Sequence, residues 1–223
     1  MFIDESLKGE IQNQLSALKK KVKIVYFTQE LECQFCRETR ELLEELSALS
    51  EKIEMEVYSF VNDKEKTEEY KIENIPATVL LDEDGNDYGI RYYGIPSGYE
   101  FSSLMEDVKM LGTGETGLPA NIIEDIKKVD RPVHLQVFVT PTCPYCPQAV
   151  TTAHAFAFIN ENIKADMVEA TEFPHLAQKY NVRGVPRTII NDDDYLEGAA
   201  PDQTVLEKIN ESLKKISANN ENN

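Results

Sequence analysis

The amino-acid sequence predicts an α/β fold that consists of two copies of one unit. Three observations predict it: a repeat relates the two halves of the chain, helical and strand-like apolar patterns alternate within each half, and each half carries one Cys-x-x-Cys pair. The 223 residues are enough for two domains of ordinary size, and a hydrophobic content of 41% supplies a core for each of them.

The repeat becomes visible when the sequence is aligned with itself at a shift of 111 residues, which changes to 110 after a one-residue deletion. The alignment pairs Phe27 with Phe138, both cysteines of the first pair with both of the second, and Pro76 with Pro186. Three glycines between residues 112 and 117 interrupt the periodic segments. We therefore predict two domains with a boundary near residue 115, over 1–115 and 116–223.

The first half of each unit is predicted to be a helix, a strand, a helix and a strand. Apolar residues at helical spacing predict a helix over 7–18, and the apolar, β-rich run over 22–27 predicts a strand. A stripe of leucines predicts a helix that begins near Cys36, and the alternation over 53–61 predicts the next strand.

The second half of the unit is predicted to hold a short helix over 65–70, two hairpin strands over 78–81 and 88–93, and a closing helix over 101–111. The second unit repeats this order. Its predicted elements include a helix over 120–129, strands over 133–139 and 163–168, strands around Thr188 and Tyr195, and a last helix over 202–216.

The charge balance excludes two classes of partner. The chain carries 23 Lys and Arg residues against 40 Asp and Glu residues, which gives a formal net charge of −17. Nucleic acid and anionic membranes both require a basic face that displaces counterions from phosphates, so we expect neither as a partner. No apolar run approaches the roughly 20 residues of a membrane span, and the N-terminus lacks the pattern of a secretory signal. We expect a cytoplasmic protein.

The two Cys-x-x-Cys pairs, Cys33–Cys36 and Cys143–Cys146, each follow a predicted strand directly and open a helix. Two cysteines at this spacing close a small disulfide ring, and the helix N–H dipoles stabilise the thiolate of the first cysteine. The first thiol attacks a substrate disulfide, and the second resolves the mixed disulfide from the same rigid turn. Cys33 and Cys143 are therefore the predicted nucleophiles, and Cys36 and Cys146 are the predicted resolving cysteines.

A strand, a Cys-x-x-Cys pair that opens a helix, a second strand, and a proline before a hairpin and a last helix together resemble the thioredoxin fold. The tandem arrangement and the two motifs look closest to the two-unit protein disulfide oxidoreductases, or glutaredoxin-like proteins, of thermophilic archaea and bacteria. The resemblance covers nearly the whole chain. It implies two thioredoxin-like units, each with a central mixed β-sheet flanked by helices and with one redox disulfide.

The same resemblance implies an enzyme that reduces, forms or isomerises protein disulfides. Its expected partners are protein disulfide or dithiol substrates and a thioredoxin-reductase-type flavoprotein as the electron donor. We expect no bound cofactor and no metal, only the redox-active disulfides.

Two prolines match the position of the cis-proline that stands beside the redox pair in this family. Pro76 and Pro186 each lie 40 residues beyond the second cysteine of their own unit. In the family this edge holds the substrate peptide through β-type hydrogen bonds. Ile75, Pro76, Val185 and Pro186 are therefore the expected substrate-binding residues, and we expect both X–Pro bonds to be cis.

Charged residues predict a difference between the two sites. The residues that we expect to tune the thiol pKa values are Glu30 and Glu32 around the first site, and Arg183 and Arg187 around the second. Carboxylates disfavour a neighbouring thiolate and cations favour it. We therefore hypothesise that the thiol of Cys143 has a lower pKa than that of Cys33, and that the second disulfide is the more easily reduced.

Two other interpretations of the cysteines stay open. Four thiolates can satisfy tetrahedral zinc, although zinc knuckles usually separate their pairs by roughly 15–20 residues whereas 106 residues intervene here. The chain could also be a redox-inactive peptide-binding or chaperone module that uses the grooves beside Pro76 and Pro186.

Overall fold

The computed structural model describes residues 2–221, whose eight strands form one mixed β-sheet with helices packed on both faces. The elements in chain order are α1 (Glu5–Ser16), β1 (Val22–Thr28), α2 (Cys36–Ser47), β2 (Ile53–Ser59), α3 (Lys64–Glu69), β3 (Ala77–Asp82), β4 (Asp87–Tyr93), α4 (Glu100–Thr113), α5 (Ala120–Ile126), β5 (Val133–Val139), α6 (Cys146–Ile159), β6 (Ile163–Glu169), α7 (Pro174–Lys179), β7 (Arg187–Ile190), β8 (Asp194–Glu197) and α8 (Asp202–Glu221). The predicted α/β class and order of elements are confirmed.

The strand order is β2-β1-β3-β4-β6-β5-β7-β8, so the sheets of the two repeats form one continuous sheet. The strands β4 and β6 join the repeats by parallel pairing, in a register that places Ile90 opposite Ala165 and Tyr93 opposite Val168. Because β1, β4, β6 and β5 all run in one direction, their carboxyl ends lie at the same edge of the sheet. Both Cys-x-x-Cys pairs follow strands that end at this edge.

Side chains of alternate strand residues enter two separate cores, one on each face of the sheet. In β1, Ile24 and Tyr26 pack into the larger core, whereas Val25 and Phe27 pack into the smaller one. Every residue of β3 is buried. Central strands that are covered on both faces carry continuous apolar runs, which explains why the sequence pattern here was a run rather than a strict alternation.

Two predicted elements are shorter than the sequence pattern indicated. β2 ends at Ser59 because the Asp63 carboxylate accepts the Ser59 N–H at 2.6 Å and turns the chain. α5 ends at Ile126, not at Val129, because the Asn160 side-chain amide donates to the carbonyl groups of both residues, at 2.7 and 2.8 Å. In both cases a polar side chain forms hydrogen bonds with backbone groups that would otherwise pair within the next turn of the helix or with the neighbouring strand.

The helices α4 and α6 pack side by side and carry the main helical contact between the two repeats. The Tyr99 N–H, just before α4, donates to the carbonyl of Pro141, just before the second redox pair, at 3.0 Å. Further along, Asp107 of α4 contacts the ring of buried His154 of α6 at 2.5 Å, and the Tyr92 hydroxyl donates to the same carboxylate. The two helices therefore run parallel, with their N-termini at the same level. Across residues 2–221, no helix combines the length and the apolar character needed to cross a membrane.

Candidate functional site

The N-terminal redox site is a disulfide between Cys33 and Cys36, with the two Cα atoms 5.5 Å apart. Cys36 is the first residue of α2 and is only 2% exposed, whereas Cys33 lies outside the helix and is partly exposed. The residue before the helix, Phe35, provides no capping side chain, so the free N–H groups of the first turn remain at the sulfur atoms. This arrangement gives an accessible outer sulfur and a protected inner one.

Two hydroxyl groups fix the turn that carries this disulfide. The Tyr26 hydroxyl, buried in β1, donates to the carbonyl of Cys36 at 2.7 Å. The Thr39 hydroxyl donates to the carbonyl of Phe35, also at 2.7 Å. Both bonds hold backbone atoms within the motif, so the inner cysteine is positioned by the strand beneath it and by its own helix.

The C-terminal redox site is a disulfide between Cys143 and Cys146, again with Cα atoms 5.5 Å apart. Cys146 opens α6 and is fully buried, and Cys143 is 7% exposed. The Cys143 N–H donates to the carbonyl of Thr140 at 3.1 Å, which closes the turn before the helix. The repeat places Val137 where the first unit has Tyr26, so this site lacks the hydroxyl that anchors Cys36.

Both predicted cis-proline bonds, Ile75–Pro76 and Val185–Pro186, are cis. Each proline carbonyl accepts a hydrogen bond from a glycine N–H, from Gly94 at 3.0 Å in the first repeat and from Gly198 at 2.8 Å in the second. The same hydrogen bond thus holds the cis-proline segment of each repeat, so the backbone beside the two redox sites is built in the same way. The role of these residues in holding substrate stays a prediction.

The four charged residues proposed to tune the thiols have different surroundings. Glu30 and Glu32 are exposed. Arg183 is also exposed and donates to the side chain of Asn181 at 3.1 Å.

Arg187, in contrast, is only 6% exposed. Its guanidinium pairs with Glu197 at 2.5 Å and stacks on the Tyr195 ring at 3.8 Å from the ring centre. The cation that we expected beside Cys143 is thus already compensated by a carboxylate. The hypothesis of a lower Cys143 pKa stays a prediction.

Sequence reasoning missed a buried carboxyl group, Glu100, which opens α4 and is 1% exposed. The Ser103 hydroxyl donates to one of its oxygens, the other has no hydrogen-bond partner among residues 2–221, and burial raises the pKa of Glu100 to about 7. α4 and α6 run parallel and Asp107 faces His154. Glu100, two turns before Asp107, therefore lies at the level of the first turn of α6, where Cys146 is buried.

One sequence signal was available for Glu100. It continues the helical spacing of buried Leu104 and Val108, so an acidic residue occupies the apolar face of its helix.

The zinc interpretation needs the four thiolates to form one group. Over the described range, 2–221, no cluster of three or more His, Cys, Asp or Glu side chains is arranged to hold a metal ion, and the four cysteines form two separate disulfides. The two pairs also follow different strands, β1 and β5, which are four strand positions apart and hence roughly 19 Å.

Comparison with family models gives two matches, a thioredoxin-like domain over residues 11–109 and a thioredoxin domain over residues 133–211. Among solved structures, a variant of the alkyl hydroperoxide reductase AhpF from Enterococcus faecalis superposes with a TM-score of 0.88 at 30% identity, covering 94% of this chain and 100% of that one. A protein disulfide oxidoreductase from Aeropyrum pernix superposes with a TM-score of 0.86, also at 30% identity, covering 92% of this chain and 91% of that one.

Curated relatives are longer than this chain. The alkyl hydroperoxide reductase AhpF from Staphylococcus aureus is 25% identical over 173 residues, which are 78% of this chain and 31% of that protein. A protein named NADH dehydrogenase from Bacillus subtilis is 22% identical over 209 residues, 94% of this chain and 38% of that protein. The chain thus spans about a third of the length of these relatives.

Proposed function

Because the chain belongs to the family of protein disulfide oxidoreductases built from two tandem thioredoxin-fold units, whose chemistry is thiol–disulfide exchange, we propose that both of its sites act on protein disulfides and dithiols. The observation that carries this proposal is the same geometry at both sites: a disulfide at the start of a helix, with its inner sulfur buried. A disulfide that closes a ring of only four residues removes little chain entropy, so it stabilises the fold weakly and is well suited to redox exchange.

The exchange proceeds at the outer cysteine of each pair. In the oxidised state described here, a substrate thiolate attacks the sulfur of Cys33 or Cys143, and the enzyme disulfide breaks as the mixed disulfide forms. The electron pair of the broken bond moves onto the inner sulfur, which leaves as a thiolate. A second substrate thiolate then attacks the substrate sulfur of the mixed disulfide, so that the substrate leaves oxidised and the enzyme keeps a dithiol.

Reduction of a substrate follows the same steps in reverse and needs a donor that returns two electrons to the enzyme disulfide. We propose a thioredoxin-reductase-type flavoprotein as that donor. Support comes from the relatives named alkyl hydroperoxide reductase, in which a segment similar to this chain belongs to a longer polypeptide. Isomerisation of substrate disulfides by the two sites together is a further part of the proposal.

Proton transfer at the C-terminal site is proposed to involve Glu100. Its pKa of about 7 lets the carboxyl group accept or donate a proton near neutral pH, and it lies at the level of the helix turn that begins with Cys146. A thiolate leaving from Cys146 is buried and needs a proton or a compensating group. Glu100 is therefore proposed as the proton donor and acceptor for the inner cysteine.

Substrate polypeptides are proposed to bind along the edges beside the two cis-prolines, at Ile75–Pro76 and Val185–Pro186. These edges lie next to the redox pairs, and an extended segment can pair with them through its backbone.

We also propose the domain boundary near residue 115, which is supported by the left-handed Gly114 that ends α4. A cytoplasmic location is proposed as well, because reductases keep thiols available there.

The proposal is tested by measuring the redox equilibrium of each pair in a series of glutathione buffers, with alkylation and peptide mass spectrometry. We expect two separate, reversible two-electron transitions, one for Cys33/Cys36 and one for Cys143/Cys146. Thiols that stay unreactive until a chelator is added would establish the zinc interpretation instead. Peptide binding without turnover of insulin disulfides would establish the chaperone interpretation.

A further inference from the structure

A small acidic pocket lies between the two redox sites, with a volume of about 210 Å³. Its lining includes Phe35, inside the first Cys-x-x-Cys motif, and Pro141, two residues before the second motif. Three glutamates line it, Glu38, Glu169 and Glu172. We call this cavity the acidic pocket. Both repeats contribute to it, because Glu38 belongs to α2 and the other two glutamates follow or end β6.

The carboxylates of the acidic pocket are held by neutral donors. Glu169 is 1% exposed, and one of its oxygens accepts hydrogen bonds from the Thr171 hydroxyl and the Glu172 N–H, both at 2.6 Å. Glu172 accepts the Ile95 N–H at 2.7 Å. The second oxygen of Glu169 and one oxygen of Glu38 are buried without a hydrogen-bond partner in the described part of the chain. Buried acceptors without a partner are rare in folded proteins, so these two oxygens point to a donor that the described part of the chain does not supply.

The charge of the acidic pocket is almost uncompensated. Within residues 2–221, Glu38 is the one of these three glutamates that forms an ion pair. Its partner is Arg37, at 3.4 Å, whose side chain is 80% exposed. Burial, with the charges of Glu169 and Glu38 added, raises the pKa of Glu172 to about 7. Buried carboxylates without a cation are costly, and a bound cation removes that cost.

The acidic pocket lies next to the path proposed for the substrate. The Gly94 N–H donates to the carbonyl of Pro76, and the following residue, Ile95, donates to Glu172. The backbone at Gly94 has φ 94°, and a Cβ there would lie 2.6 Å from the Cβ of Glu169 and 2.8 Å from an oxygen of Glu172. A polypeptide that pairs beside Pro76 therefore passes within one side-chain length of the carboxylates.

The walls of the acidic pocket suit a long basic side chain. The apolar residues Phe2, Phe35, Ile95 and Pro141 line the pocket together with the three glutamates. Lysine and arginine bury their methylene stems against such walls while their charged ends reach polar groups. A guanidinium also offers several donors in a planar fork, which matches carboxylate oxygens.

We propose that the acidic pocket binds a lysine or arginine side chain of the protein substrate, close in sequence to the cysteine that reacts at Cys33. The proposal rests on the proposed function, since it specifies which substrates the N-terminal site prefers. It makes Glu169 and Glu172, from the second repeat, residues that set substrate specificity for the site of the first repeat.

The test uses two peptide disulfides that differ only in one residue near the reacting cysteine, arginine or its neutral analogue citrulline. Turnover is measured with Cys143→Ser/Cys146→Ser protein, so that only the N-terminal site reacts. We expect the arginine peptide to have about a tenfold lower KM, with kcat little changed. Glu169→Gln/Glu172→Gln should reduce that preference to about twofold or less, while Glu172→Gln alone, which keeps an acceptor for Ile95, should reduce it partly.

A control separates the acidic pocket from the general attraction of a chain with net charge −17. Glu106→Gln removes one charge, as Glu172→Gln does, but from an exposed position on α4, and we expect it to leave the arginine preference unchanged. Equal KM values for the two peptides, or a preference that survives Glu169→Gln/Glu172→Gln, would overturn the inference.

Binding measured without chemistry distinguishes this inference from the proposed function. Fluorescence anisotropy of labelled peptides that carry serine in place of cysteine reports binding to the oxidised full chain. If neither peptide disulfide is turned over but the arginine peptide still binds more tightly, the proposed function fails and the acidic pocket stands. If both peptides are turned over and bind equally, the acidic pocket fails and the proposed function stands.

Discussion

The two redox sites share a motif, a helix start and a cis-proline contact, yet they differ beneath the inner cysteine. The N-terminal site has the Tyr26 hydroxyl on the Cys36 carbonyl and a cluster of carboxylates that includes Glu172 of the second repeat. The C-terminal site has Val137 at the equivalent position, and Glu100 of the first repeat lies at the level of the helix turn that begins with Cys146.

Each site therefore has a carboxyl group of the other repeat near it, the buried Glu100 or the partly exposed Glu172, and burial raises the pKa of both groups to about 7. The two repeats are not interchangeable modules, because the surroundings of each site depend on the packing of one repeat against the other.

The proposed nucleophiles, Cys33 and Cys143, are expected to decide which site carries turnover. We expect each single variant, Cys33→Ser or Cys143→Ser, to retain only the activity of the site that is not mutated. The double variant should reduce insulin disulfides no faster than the uncatalysed reaction. Removal of the attacking thiol leaves no route to the mixed disulfide. Insulin turbidity with a dithiol donor measures the three rates. A double variant that retains turnover would show that the inner cysteines react directly.

The contact between the repeats at Gly98 is expected to be sensitive to a single methyl group. Gly98 has φ 61°, and a Cβ there would lie 2.2 Å from the carbonyl oxygen of Pro141. We expect Gly98→Ala to lower the free energy of unfolding by about 1–3 kcal/mol for the left-handed backbone and by about 1–3 kcal/mol more for the steric overlap.

Gly114→Ala is the matched control for this prediction, because Gly114 has φ 79° with nothing within 4 Å of the added Cβ. Urea unfolding of the two variants separates the conformational cost from the overlap. Equal losses of stability in both variants would mean that the Pro141 contact relaxes without cost.

The carboxyl groups of Glu100 and Glu172 predict separate pH profiles for the two sites. The folded-state pKa of Glu100 lies above its ordinary value of 4.5, so this group's contribution to stability falls as the pH rises from about 4.5 to about 7. We expect Glu100→Gln to be more stable than the parent above pH 7 by about 1–3 kcal/mol, and equal to it near pH 4.5. Urea unfolding across this pH range measures the difference.

Alkylation of the reduced protein assigns each carboxyl group to its site. Glu100→Gln should remove an inflection near pH 7 from the reactivity of Cys143 and leave the profile of Cys33 unchanged. Glu172→Gln should do the reverse, because Glu172 lies near Tyr26 and Cys36. Profiles that change together in either variant would contradict the assignment.

The smallest expected effect concerns Arg187. Its ion pair with Glu197 compensates its charge, so Arg187→Gln should shift the pKa of the Cys143 thiol only slightly. Glu197→Gln leaves the cation uncompensated and should lower that thiol pKa by more. Arg183→Gln, at an exposed position, is the control. Thiol titration by alkylation measures all three variants, and a large shift from Arg183→Gln would reverse the ranking.

Much of the fold was predictable because local signals carry it. Periodic apolar residues indicated the helices and strands, and the repeat indicated that both units share one order of elements. The Cys-x-x-Cys spacing and the proline 40 residues later placed the redox pairs, and both proline bonds are cis as expected. The carboxyl groups were missed because Glu100, Glu169 and Glu172 are far in sequence from the cysteines that they approach in space.

Residue order alone predicts the α/β class, the two repeats and the two Cys-x-x-Cys pairs, because these depend on apolar periodicity, on similarity at a constant shift and on the spacing of two cysteines within one turn. The pairing of β4 with β6 into one sheet is visible in the tertiary structure alone, since the backbone hydrogen bonds that join two strands leave no side-chain pattern that identifies the partner strand. The same pairing places Gly94 against Glu169 and Pro141 against Gly98, and it thereby builds the acidic pocket between the two sites. The distinct surroundings of the two disulfides therefore follow from the packing of one repeat on the other.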